Sequence, residues 1–428
     1  MSHHTFEIKN LTKVEARAKL TIKLEDKEVT EANLEVSEAA RYFEAMLRDR
    51  KYDEAASISQ RICGICSVVH TIGSIKAIEN AFGIEPSQQT IDLRKLLLIG
   101  GQLHSHIVHL YFLALPDYLG FESILEMSTK RHEDIHRALR LEKLSTDIIR
   151  IIGGRPVHPV SVGVGTFTDV PNKEKLELIL KKFKQMKEDA VKTVELFMSL
   201  KTPNFENITR QCALRKEGEY ALYDGKITSN DGIEFDAKHY KKYITEHMKE
   251  YSTAINARLN GEKLMVGALA RLNLNHKYLS DDAKKLLNLS GIKLPNFSPF
   301  MNNFAQAMEL VHLVDKGIEL TNKFLESGFR KETIIVKPKK SQGIMVAEAP
   351  RGILYYHYIL DNKGIIRYAN IITPTEQNLE SIESDIKNFF PIISHLPKEK
   401  ITLELEKLIR AYDPCISCPT HFLEVKFV

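Results

Sequence analysis

Apolar and polar side chains alternate from residue 5 to residue 36, as in Ala18-Lys19-Leu20-Thr21-Ile22-Lys23-Leu24, and a period of two is what a half-buried strand needs. The chain therefore opens with a predicted hairpin or small sheet. From about Ser37 to Gly120 the period becomes helical, with Glu38 to Leu47 a clear stretch, and the helical pattern continues through 122–152 and 173–200. The breaker-rich segment Gly153-Gly154-Arg155-Pro156-Val157-His158-Pro159 separates those two. Hairpins are predicted over 216–237 and helix again over 238–330. A second β region follows over 343–373, where Gly352 to Asp361 runs into the turn Asp361-Asn362-Lys363-Gly364 and returns from Ile365 to Ile372. A last helix, Leu379 to Tyr412, is predicted near the end. The most apolar stretch, Ile91 to Leu115, carries Asp92, Arg94, Lys95 and three histidines, so it reads as a buried helix pair and not as a membrane span.

Composition sharpens this only by exclusion. Of 428 residues 43% are hydrophobic and 27% charged, ordinary values for a chain with a sizeable core. The formal net charge is +4, with 60 basic residues interleaved among 56 acidic ones, which gives no case for nucleic-acid binding. The opening Met1-Ser2-His3-His4-Thr5 lacks the order of a secretory signal, so a cytoplasmic, reducing compartment is expected.

The chemistry lies in the cysteines. Four of the five form two pairs, Cys63-Gly64-Ile65-Cys66 and Cys415-Ile416-Ser417-Cys418, at opposite ends of the chain. Each pair can chelate one ion, and four thiolates suit a soft or borderline transition metal. Structural zinc ribbons place the second pair about 15 to 20 residues after the first. Here nearly the whole protein intervenes, so the fold must bring the ends together. The first pair falls at the head of a predicted helix, where free N–H groups and the positive dipole end favour thiolate over thiol.

The flanks carry a resemblance. Arg61-Ile62-Cys63-Gly64-Ile65-Cys66 followed by Ser67-Val68-Val69-His70, with Asp413-Pro414-Cys415-Ile416-Ser417-Cys418-Pro419-Thr420-His421 at the other end, resembles the large subunit of nickel-iron hydrogenases. Glu348-Ala349-Pro350-Arg351-Gly352, Gly153-Gly154-Arg155 with His158-Pro159, and Ile372-Thr373-Pro374-Thr375-Glu376 resemble further motifs of that family. The resemblance implies an α+β fold, one large and mostly helical domain over 1–421 with a central helix bundle and small antiparallel sheets.

It also implies roles. All four cysteines would bind nickel, with Cys66 and Cys418 bridging to an iron that carries carbon monoxide and cyanide. Such a cluster is anionic and needs donors; Arg351, always charged, and Thr375 in the loop with Pro374 are the candidates. Hydrogen would be cleaved heterolytically, with Cys415 taking the proton because Arg351 already holds its own. Glu15, in Lys13-Val14-Glu15, would carry the proton outward, although Ala16-Arg17 stands where most members have Gly-His. Asp117 and Asp413 match acidic positions near the cluster, with a salt bridge to Arg351 expected. His421 with Glu44 would hold a magnesium ion, and residues 422–428 would be a C-terminal peptide removed by a maturation protease after nickel-insertion chaperones have acted. Only Cys212 is left over, too little for an iron–sulfur cluster, so an iron–sulfur small subunit is implied. Further electron-transfer subunits would lead to a soluble carrier: Tyr223-Asp224-Gly225-Lys226-Ile227 resembles the coenzyme-linked branch, with NAD(P) first and a deazaflavin coenzyme second.

Three other readings compete. His132-Glu133-Asp134-Ile135-His136 has the H-E-x-x-H form of a zinc hydrolase, but Lys130, Arg131 and Arg137 flank it, which favours a surface helix. The four cysteines could be a structural zinc site. The chain could also be an inactive scaffold like the family's respiratory complex I relative, which lacks these cysteines. His104, His106 and His109 read as core packing or hydrogen-bonding residues.

Overall fold

The computed structural model describes residues 3–9, 11, 13–14, 17–26, 28–36, 42–416 and 418. Glu15, His421 and the peptide 422–428 lie outside these. Strands β1 (His3–Ile8), β2 (Ala18–Glu25) and β3 (Glu28–Val36) form the expected antiparallel sheet in the order β1-β2-β3. The alternation serves packing: Leu20, Ile22, Leu34 and Val36 are buried.

Helix α1 (Ser67–Phe82) leads to α2 (Gln88–Ile107), which Ser87 caps by accepting from the Thr90 N–H. The expected helix pair over 91–115 is instead one helical run, since α2 continues through a wider-wound turn at Val108–Ala114 to Leu115–Leu119. Gly100-Gly101 does not break it, because the missing side chain serves a close approach: a Cβ on Gly101 would lie 2.9 Å from Val68 Cβ on α1. This run is long and apolar enough to cross a membrane, but 78% of its apolar window is buried in the protein, as in a core helix. The stretch read as helix over 122–152 is a short helical turn at Ile124–Ser128 followed by α3 (His132–Gly153), while α4 (Lys173–Ser199) keeps its expected bounds.

The segment read as helix over 238–330 begins differently. After β4 (Arg210–Arg215) and β5 (Lys226–Ser229) come β6 (Ile244–Met248) and β7 (Ile255–Leu259), an antiparallel hairpin. The next turn is Asn260-Gly261, both at positive φ (50° and 79°), a pair suited to a tight turn. It leads to β8 (Leu264–Met265), which runs parallel to β4, so the sheets are not all antiparallel. Helices α5 (Ala268–Asn275) and α6 (Met301–Ser327) then restore the helical pattern.

Strands β9 (Ser341–Ala349), β10 (Gly352–Leu360) and β11 (Ile366–Ile372) make the second antiparallel sheet, in the order β9-β10-β11. The expected final helix is two, α7 (Pro374–Ile393) and α8 (Lys398–Ala411). Pro397, unable to donate a backbone hydrogen bond, separates them. Helix α2 packs against α1, α3 and α6, and α4 against α3 and α6; β9 and β10 lie on α1. One large apolar core includes all four paired cysteines, while a smaller one around β4 and β10 holds Cys212. Burial pushes the Cys212 thiol well above its ordinary range, as expected of a small buried side chain.

Candidate metal centre

The first cysteine pair is shaped by a turn that becomes a helix. Cys63 is extended (φ −148°, ψ 124°) after the short turn Gln60–Ile62, and Cys66 is the residue before the first turn of α1. The Cys66 N–H donates to Cys63 Sγ at 3.3 Å, so a free helix-start donor supports a sulfur as the sequence reading required. The second pair leaves α8 through Asp413, whose backbone is left-handed (φ 51°) and whose N–H donates to the Arg410 carbonyl at 2.8 Å. The Cys418 N–H then donates to the Cys415 carbonyl at 3.0 Å.

These two turns meet. Cys415 Sγ lies 2.6 Å from Cys418 Sγ and 3.5 Å from Cys63 Sγ, and Cys63, Cys66, Cys415 and Cys418 are all buried, unbridged thiols. Among the described residues, the sulfurs of Cys63, Cys415 and Cys418 form a group able to ligate one ion. Hydrogen bonds from Cys415 and Cys418 hold Cys63 well below the ordinary thiol range, whereas burial pushes Cys415 well above it. Sulfurs this close cannot all ionise unaided. A cation among them removes that conflict, and the all-thiolate donor set fits a soft or borderline metal.

Arg351 faces the sulfurs. Its Nη1 donates to Cys66 Sγ at 2.9 Å, while Nε donates to the Asp413 carbonyl at 2.6 Å and Nη2 pairs with Asp413 Oδ1 at 2.9 Å. The salt bridge expected for Arg351 is therefore with Asp413. Asp117 is one step removed, ion-paired with Lys13 and with Arg410 of α8. Thr375 lies in the first turn of α7 but is not its cap; Thr373 and Glu376 form the capping box, with Pro374 between. The Thr375 hydroxyl accepts from the Cys415 N–H at 3.1 Å, which leaves its hydrogen to donate.

Glu44 is buried apart from the sulfurs, its Oε1 accepting from the Ile371 N–H at 2.6 Å. Burial and then the charge of Glu246 push its carboxyl up to about 8. Burial, with Glu246 and Glu44 adding to it, also holds Glu376 well above the usual range. Three carboxylates from three distant segments thus converge, and sequence reasoning singled out only Glu44. It gave no role to Lys13 or Gln306, and it read His109 only as a packing or hydrogen-bonding residue of the core. Gln306 Nε2 donates to Asp413 Oδ2 at 3.0 Å, and its Oε1 meets His109 Nδ1 at 2.5 Å. The hydrogen-bonding reading of the core histidines does fit His106, on Glu309, and His109.

Comparison with known proteins decides the family. The description "nickel-dependent hydrogenase" matches residues 41–143 and 196–421, a range that includes both cysteine pairs. The chain belongs to the nickel-dependent hydrogenase family. It is 35% identical to the alpha chain of sulfhydrogenase 1 of Pyrococcus furiosus over 98% of both chains. It is 31% identical to a chain of the F420-non-reducing hydrogenase of Methanothermobacter thermautotrophicus, over 97% of this chain and 94% of the relative. Its structure matches a NAD+-reducing [NiFe]-hydrogenase in the H2-reduced state with a TM-score of 0.89, 25% identity, and coverage of 98% and 99%. The [NiFeSe]-hydrogenase of Dm. baculatum, at 21% identity and TM-score 0.79, shares the fold over 98% of this chain. The protein is thus the catalytic large subunit of a nickel-iron hydrogenase, an oxidoreductase acting on hydrogen, with the α+β fold of that subunit. The competing H-E-x-x-H segment begins α3, where His132, Glu133 and His136 lie toward the surface and Asp134 is taken by Arg131 and Arg137.

Proposed function

We propose that this hydrogenase chain splits H2 reversibly, releases the proton through Cys415, and passes electrons through the iron–sulfur clusters of a small partner subunit, then through further subunits to NAD(P). The observation that carries the reading is the meeting of four buried cysteines from both ends of the chain under the Arg351 guanidinium, 2.9 Å from Cys66 Sγ. When bound, a nickel–iron centre with carbon monoxide and cyanide on the iron supplies the site of heterolytic cleavage. Cys63, Cys66, Cys415 and Cys418 would hold it, and Cys66 and Cys418 would be shared with the iron. Arg351 and Thr375, beside Pro374, would donate hydrogen bonds to its ligands. Asp413 fixes Arg351, and Asp117 fixes Arg410 behind it. Glu15 moves the proton from Cys415 toward solvent. Arg351 does not compete for that proton, because a guanidinium stays fully protonated.

The electron path has to leave the chain, since Cys212 is the one cysteine beyond the two pairs. NAD(P) is favoured over a deazaflavin because one similar structure is a NAD+-reducing enzyme and several relatives are described as F420-non-reducing. A cytoplasmic site of action belongs to the same reading. The purified assembly under H2 should reduce NAD+ or NADP+ and show infrared bands of bound carbon monoxide and cyanide. Reduction of the deazaflavin alone would overturn the choice of carrier; zinc alone, without such bands, would overturn the centre.

Glu44 and His421 hold magnesium in this proposal, and a cation there would favour the ionised form of Glu44 that burial and Glu246 otherwise disfavour. The family match stops at residue 421, which supports removal of 422–428 by a maturation protease once chaperones have inserted nickel. The intact mass of the subunit in active enzyme should correspond to a chain ending at His421. A mass that retains Val428 would sink the processing step.

A further inference from the structure

Arg271, on α5, is fully buried, and each of its five N–H groups has an acceptor. Nε and Nη2 donate to the two carboxylate oxygens of Glu309 at 2.6 and 2.7 Å. Nη1 donates to Glu348 Oε2 and to the Ala349 carbonyl, both at 3.0 Å, and Nη2 also donates to the Pro350 carbonyl at 2.9 Å. The two carbonyls belong to the residues that immediately precede Arg351.

We propose that Arg271 is a positioning residue for hydrogen cleavage: it clamps the chain at 348–350 to the helical core so that the Arg351 guanidinium stays over Cys66. The proposal rests on the reading of Arg351 as a donor to the centre. The far side of the clamp is rigid, because Glu309 on α6 also accepts from Tyr220 Oη and His106 Nε2, each at 2.7 Å. The near side is fixed twice more, by Gln102 Nε2 on the Glu348 carbonyl at 2.8 Å and by the Leu214 N–H on Glu348 Oε1 at 2.7 Å. The residue after Arg351 is closed in as well: Gly352 has φ 132°, and a Cβ there would lie 2.3 Å from Val266 Cγ2. With both neighbours of Arg351 held, its backbone has one place to be. Arg271 is the group whose planar fork joins a carboxylate on one element to two carbonyls on another. Lysine, with one nitrogen, cannot make that span.

The test compares nickel-loaded enzyme in its full assembly as wild type, Arg271→Lys, Glu348→Gln and Arg351→Lys, with rates taken per nickel. Arg271→Lys should lower kcat for H2 oxidation by at least about tenfold with KM for H2 unchanged, since a small misplacement near the chemistry has effects of that order. Its carbon monoxide and cyanide bands should move toward those of Arg351→Lys. Wild-type turnover and unmoved bands, even in a protein that melts earlier, would reduce Arg271 to a stabilising role and overturn the proposal. If Arg271→Lys yields no nickel-loaded protein, Glu348→Gln decides. That variant keeps the guanidinium and the side-chain shape, but its amide has one acceptor where the carboxylate has two, so the contact with Arg271 Nη1 or with the Leu214 N–H is lost; a loss of about threefold with bands moved the same way is expected, and wild-type behaviour counts against the clamp. Wild-type turnover in Arg351→Lys would overturn the underlying reading, and the proposal with it.

Discussion

Replacing Cys415 with serine should leave a folded subunit that contains no nickel and oxidises no H2. The substitution is close to isosteric, so packing around this fully buried residue is retained. What changes is the donor. A serine hydroxyl stays protonated where a thiol bound to metal does not, and oxygen is too hard to replace sulfur in an all-thiolate set. Cys415 Sγ also lies between the two halves of the site, 2.6 Å from Cys418 and 3.5 Å from Cys63. Its loss removes a donor at the junction between the chain ends. Altering only a hydrogen-bonding partner of a ligand costs about 10- to 100-fold in affinity or activity, so losing the ligand itself should exceed that. Nickel and iron by elemental mass spectrometry and H2-dependent dye reduction measure it, with Cys212→Ser as the control that keeps both metals. A Cys415→Ser enzyme with full nickel and wild-type rate would remove Cys415 from the site.

The cysteines were legible because their chemistry restricts the choice of residue, so the pairs and their flanks persist as readable signals whatever lies between them. Arg351 was legible for the same reason. Its partner was only half so: Asp413 lies beside the second pair in sequence, but Asp117 is claimed by Lys13, 104 residues away, and no periodic pattern encodes a pairing of that span. The fold shows the same division. Strands β1–β3 and the turn at Asp361 to Gly364 announced themselves through alternation and turn residues. The hairpin β6–β7 did not, because two short strands in a Lys- and Glu-rich stretch are outweighed by helical neighbours, although Asn260-Gly261 was a usable turn signal. That single misreading hid part of a site. Glu246 lies on β6, so its convergence with Glu44 and Glu376 was out of reach once 238–330 was read as helix.

Arg351→Lys should retain both metals and lose about 100-fold or more of the H2 oxidation rate, the order found when one donor aimed at developing charge is removed from an enclosed site. The reason is geometric. The guanidinium reaches in two directions at once, with Nη1 on Cys66 Sγ and Nε and Nη2 on the carbonyl and carboxylate of Asp413. A lysine ammonium carries the same charge on one nitrogen and has to choose between them. If it follows the Asp413 carboxylate, the sulfur side loses its donor; if it follows Cys66, Asp413 is left as a buried carboxylate whose remaining side-chain donor among the described residues is Gln306 on Oδ2. Either outcome disturbs charge next to the reacting atoms while leaving all four thiolates in place, so the metals stay and the rate falls. KM for H2 should not change, because an apolar gas gains nothing from a cation in the ground state, and the loss belongs in kcat. An Arg351→Lys enzyme that matches wild type in kcat per nickel would show that the charge alone suffices and that the two-directional geometry is not used.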